Sequence, residues 1–149
     1  MTDPYLYFNV LKNPENSVAR APELAVQSWV ELANYVKLKL DDLGFTASVV
    51  SGDNPPMDAV GALVCVHEID PFGVVLKWGT PLEHTEEYIE QVLSRQRGPL
   101  MRCVVDVREI IVKMMYDVLE RAGFGVATEP EGDDVDIYRV LSKPENPLL

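Results

Sequence analysis

Three features of this 149-residue chain predict an α+β fold, a single domain over 1–149 with a mostly antiparallel sheet and two or three helices packed on one face. Apolar residues recur at helical spacing between Ala25 and Leu43. Two β-rich runs, 61–69 and 74–79, flank an Asp-Pro-Phe-Gly turn. A third alternating run, 135–141, closes the chain. Strand runs interleaved with helical runs are the pattern of a sheet layered with helices.

The elements follow in order. Residues 5–11, Tyr-Leu-Tyr-Phe-Asn-Val-Leu, are aromatic and β-branched, as a strand prefers. Residues 13–21 read as loop. Pro22 suits the first helical position and Glu23 the positive end of the helix dipole. The stripe Ala25, Trp29, Leu32, Val36, Leu40, Leu43 has spacings of 4, 3, 4, 4 and 3, widened by Val26, Val30 and Ala33. That is one apolar helix face, and Trp29 belongs to the core on this reading. Gly44 stops the helix, and Phe45 lies where a Schellman turn wants an apolar residue in contact with Leu40. Leu119 to Phe124 repeats the arrangement.

A β-like stretch follows at 46–51, then a loop over 52–60. Residues 62–66 are apolar on both faces, which predicts a central strand. Asp70, Pro71 and Gly73 take their preferred places in a type I turn. Thr80-Pro81-Leu82-Glu83 is a capping box with proline at the first helical position, and it predicts a helix over 81–97. Two readings fit 100–122. One is a single helix on Val104, Val107, Ile111, Met114/Met115, Val118 and Ala122. The other is a strand over 100–105 before a helix capped by Asp106. The single helix is preferred. A β-like stretch at 125–128 and the strand 135–141 complete the sheet, and the proline-containing tail 142–149 is expected to fray.

Hydrophobic residues make up 47% and charged residues 25% of the chain. This ordinary globular mixture can bury a core without a metal or disulfide. No apolar run approaches the roughly 18–20 residues of a membrane span. Met1-Thr2-Asp3-Pro4 lacks the basic and apolar regions of a secretory signal. Cys65 and Cys103, each beside valine, are expected to be reduced core thiols of a cytoplasmic protein.

Twenty-four acids against thirteen Lys and Arg give a formal charge of -11. That field repels phosphate backbones and anionic lipid, so neither nucleic acid nor membrane is an expected partner. No cofactor is expected, since no phosphate loop or dinucleotide fingerprint occurs. Neither a zinc spacing nor a nucleophile elbow is present. His67 and His84 are predicted too far apart to share a metal. Cys65 and His67 share a strand face but sit in an apolar run that disfavours a thiolate.

Residues 104–110, Val-Val-Asp-Val-Arg-Glu-Ile, followed by 118–126, Val-Leu-Glu-Arg-Ala-Gly-Phe-Gly-Val, resemble the opening of a response-regulator receiver domain. The resemblance implies a strand ending in magnesium-binding acids. Val107 stands where the second acid belongs, and the 23 residues after Val126 are too few for the rest of a parallel sheet. No site residue is carried over.

The residues singled out are therefore those that meet another protein. Glu129, Glu131, Asp133, Asp134 and Asp136 crowd a predicted hairpin, and such a cluster speeds encounter with a basic partner. Trp78, at a strand end beside Lys77 and Gly79, and Tyr138, in a predicted edge strand, are candidate aromatic anchors. The expectation is a non-enzymatic binding module. It would be an acidic inhibitor, an immunity-type or a chaperone-type protein, docking on a basic toxin or secreted effector. An assembly subunit, or a small-ligand domain or enzyme using carboxylates, is the alternative. A homodimer is compatible with each.

Overall fold

The computed structural model describes residues 20–51, 59–68, 72–95, 98–130 and 136–145. The expected strand 5–11 lies outside them, as do Glu131, Asp133 and Asp134. The described elements are α1 (Glu23–Asp42), β1 (Ala47–Ser51), β2 (Gly61–His67), β3 (Gly73–Gly79), a 3-10 turn (Pro81–His84), α2 (Glu86–Leu93), α3 (Pro99–Arg121), β4 (Gly125–Pro130) and β5 (Asp136–Ser142). The fold is α+β, as the sequence predicts. The strands form one mixed sheet in the order β1-β2-β3-β5-β4. Among the described strands only β1 and β2 pair in parallel, with Ala47 beside Ala62. Alternation and propensity carry no strand direction, so this pairing was not legible in the sequence.

The core lies between one sheet face and the helices α1 and α3. Val64 and Val66 of β2, Val74 and Leu76 of β3 and Val140 of β5 point into it. They meet Trp29, Ala33, Val36 and Leu40 of α1 and Met115, Tyr116 and Leu119 of α3. β2 is buried along its whole length, on both faces, as expected of a central strand. Cys65 and His67 lie on the face away from the helices, two residues apart, and both are buried.

Both Schellman turns form. Phe45 N–H donates to Leu40 O at 2.9 Å, and Phe124 N–H to Leu119 O at 3.0 Å. Gly44 and Gly123 take φ of 99° and 98°. Phe45 folds back onto the core, so Leu43, at the C-cap, is 49% exposed rather than part of the buried stripe. A Cβ at Gly44 would meet nothing, whereas at Gly123 it would lie 3.2 Å from Pro144 Cβ. Gly44→Ala is therefore expected to cost about 1 kcal/mol through left-handed strain alone. Gly123→Ala should cost more, and urea unfolding of the two variants checks the order. Asp41 ties α1 to β1: it accepts from Lys37 Nζ at 2.6 Å and from Ala47 N–H at 2.9 Å. The lysine bond first, then the amide, holds its carboxyl below the ordinary value.

Three expectations need correction. The helix over 81–97 is split. Thr80 caps only a 3-10 turn, Thr85 is extended, and its hydroxyl accepts from Tyr88 N–H to start α2 afresh. A second good N-cap residue five positions after the first ends the first turn. Cys103 is exposed, not a core thiol. It sits on a single helix, α3, which settles 100–106 as helix and removes the strand that the receiver resemblance implies. Finally, β5 lies inside the sheet between β3 and β4, so Tyr138 is not on an edge strand.

Candidate functional site: a groove between β3 and α3

The site begins where two strands part. β3 and β5 pair only at Val74 and Val140. The next antiparallel pair would be Leu76 with Tyr138. Instead the Tyr116 hydroxyl stands between them, accepting from Leu76 N–H at 2.7 Å and donating to Tyr138 O at 2.9 Å. One phenol thus satisfies the donor and the acceptor that the missing ladder step would leave buried. The Tyr116 ring stacks on Tyr138, with centroids 5.2 Å apart.

Beyond this insertion, β3 runs on to Gly79 with β2 on one side only. Ala62 N–H donates to Thr46 O, toward β1. Ala62 is the partner of Trp78, so Trp78 belongs to a non-hydrogen-bonded pair. Its N–H and C=O face the side that β5 has left. Among the described residues no strand pairs with them.

α3 forms the other wall. Leu76, Lys77 and Trp78 face Val105, Arg108, Glu109 and Val112 across a groove of about 320 Å³. Floor and walls are aliphatic and aromatic, and charged groups lie at the rim. Glu83 fixes the end of the groove with both carboxylate oxygens. Oε2 accepts from Thr80 N–H at 3.1 Å, and Oε1 pairs with Arg108 at 2.9 Å. The capping box is therefore also the clamp that holds the 3-10 turn to α3. Glu86, Glu87 and Glu90 of α2, the helix that follows this turn, are all exposed.

The structure distributes the predicted contact residues unevenly. Trp78 is half-buried and lines the groove. Tyr138 is half-buried under Tyr116, on the core side of the same strand gap. Glu129 and Asp136 fall on the strands of the β4–β5 hairpin, Glu129 opposite Ile137 and Asp136 opposite Pro130. Sequence reasoning missed Tyr116, Val105, Arg108, Glu109 and Val112. The available signal was a tyrosine on the apolar face of a helix, whose hydroxyl needs a partner once buried.

Other places offer less. A smaller recess of about 140 Å³ lies between α1 and β5, lined by Tyr35, Leu32, Leu141 and Lys143. Lys143 Nζ covers the Tyr35 ring at 4.6 Å. Among the described residues no cluster of three or more His, Cys, Asp or Glu has metal-binding geometry. No helix among them is long and apolar enough to cross a membrane. Comparison with known proteins finds no matching family model, curated protein or solved structure.

Proposed function

We propose that this protein acts by binding another protein, in the manner of an acidic inhibitor, immunity protein or chaperone. The groove between β3 and α3 is its docking site. The observation that carries this reading is the open edge at Trp78. A strand whose N–H and C=O face an apolar groove is ready to pair with an extended segment of a partner. Main-chain hydrogen bonds would give affinity, and Trp78, Val105 and Val112 would receive alternate side chains. The exposed acids of α2 and the acidic β4–β5 hairpin favour a basic partner and raise its encounter rate.

The test starts with affinity capture from the native host lysate at low and moderate salt, read by mass spectrometry. The captured partner is then purified and titrated. Trp78→Ala is expected to weaken binding about 30-fold or more, as loss of a central aromatic anchor does. Replacing Glu129, Glu131, Asp133, Asp134 and Asp136 together by Asn or Gln should slow association and flatten its salt dependence while leaving dissociation nearly unchanged. Equal affinity of the Trp78→Ala variant for the partner would rule out the groove as the docking site.

A further inference from the structure

The free edge of β3 is open over a narrow window. On the side that β5 has left, Leu76 N–H is already taken by the Tyr116 hydroxyl at 2.7 Å. Two positions past Trp78, Thr80 N–H is taken by Glu83 Oε2 at 3.1 Å. Between these stops, among the described residues, Trp78 alone offers both an N–H and a C=O. A strand that joins here therefore has its register fixed, with one of its residues directly beside Trp78. Residues opposite each other in a sheet share a face. The Trp78 side chain packs on the core with Leu76, on the helix side of the sheet. The residue beside Trp78 thus sends its own side chain into the groove, against Val105, Glu109 and Val112 of α3. These three, spaced by 4 and 3, form one strip along the helix.

Charge and shape select that side chain. The charged residues lining the groove are Lys77, Arg108 and Glu109. Lys77 alternates with Leu76 and Trp78, so its side chain leaves from the other face of the sheet. Arg108 is paired with Glu83 at 2.9 Å. Glu109 is exposed, and among the described residues its carboxylate has no ion pair or hydrogen bond. The groove therefore offers an aromatic ring, an aliphatic strip and one uncommitted carboxylate. A long cationic side chain answers all three. Its stem covers Val105 and Val112 while its head stays at the rim with Glu109. A planar head also lies on the Trp78 ring. Arginine does this better than lysine, because a flat guanidinium stacks on an indole and forks onto a carboxylate. We propose that the segment received by this groove carries an arginine beside Trp78, and that Glu109 selects it. This rests on the groove as docking site and adds the chemistry of its occupant.

A displayed library of short random peptides, selected on the folded protein, tests this. The wild type is expected to enrich sequences with one arginine flanked by strand-forming residues. An enriched peptide is then titrated with its arginine intact or replaced by citrulline, its neutral isostere. Trp29→Phe serves as the host, so that Trp78 fluorescence reports binding. Citrulline should weaken binding about tenfold. Glu109→Gln should weaken the arginine peptide by a similar factor and leave the citrulline peptide unchanged, since both substitutions remove the same contact. The thermal midpoint of Glu109→Gln should equal that of the parent, which separates lost recognition from lost folding. Selection on Glu109→Arg should enrich Asp or Glu where the wild type enriches arginine. Peptides that need Trp78 but bind equally well with citrulline, or equally well to Glu109→Gln, overturn the arginine assignment and leave the groove standing. Peptides that bind Trp78→Ala as tightly as the wild type overturn the groove along with it. A selection that enriches nothing overturns the arginine assignment alone, because exchange of the Trp78 amide judges the open edge independently.

Discussion

Trp29→Ala is expected to destabilise the protein by about 3–5 kcal/mol, the range for removing a fully buried large aromatic side chain. Trp29 has no exposed surface and lies in the core cluster between α1 and the sheet. Its removal leaves a void that neither the rigid sheet nor a helix pinned by its Schellman turn can fill. Small domains have a total stability of about 5–15 kcal/mol, so the variant should sit near the edge of folding at ambient temperature. Denaturant titration followed by far-ultraviolet circular dichroism measures the loss. Trp29→Phe should cost much less, because it keeps an aromatic ring in the site. That milder variant also leaves Trp78 as the sole tryptophan, a fluorescent reporter of the groove. A Trp29→Ala protein within 1 kcal/mol of wild type would mean that α1 does not carry the core.

Tyr116→Phe ranks next, and it isolates a single oxygen atom. The substitution keeps the ring and its stacking on Tyr138. It removes the hydroxyl that joins Leu76 N–H to Tyr138 C=O. Leu76 N–H then lacks its partner in a buried setting, at about 1–3 kcal/mol, and Tyr138 C=O lacks its partner in a half-buried one, at a smaller cost. The expected loss is about 2–4 kcal/mol, partly relieved if a water enters the gap. The effect should be local as well as global. Amide exchange should quicken at Leu76, while Val64 and Cys65 in the central strand stay protected until global unfolding. A loss below about 0.5 kcal/mol would mean that β3 and β5 close on each other when the hydroxyl is gone, and that the strand gap is not built by Tyr116.

Local physics was well marked in the sequence. The 25–40 stripe gave α1 its buried face and the Gly-Phe pairs gave both Schellman turns, whereas Phe72, with φ of 60°, departs from the type I geometry expected at 70–73. What escaped depends on partners distant along the chain. Tyr116 reaches residues 40 and 22 positions away, and no local pattern marks a strand gap. The α3 reading merged two faces, placing the exposed Val107 and Met114 on one stripe with the buried Val104 and Met115. A helix that is apolar on two sides has no single periodic stripe, so the separation needed the structure. The same ambiguity made Cys103 look like a core thiol. The strand end beside Lys77 marks Trp78 in the sequence, yet the wall opposite it comes from a separate helix that starts at Pro99. The alternation of 135–141 marks a strand but not its neighbours, and β5 lies between β4 and β3 rather than at an edge.

The central claim, that β3 presents an open edge at Trp78 for another chain to join, is tested most directly by residue-resolved amide hydrogen exchange on the free protein. The Trp78 amide is expected to exchange far faster than that of Lys77, which faces β2, and to become protected when the partner binds. A Trp78 amide already as protected as Lys77 in the free protein would contradict the claim, because the edge would then be occupied by the protein's own chain.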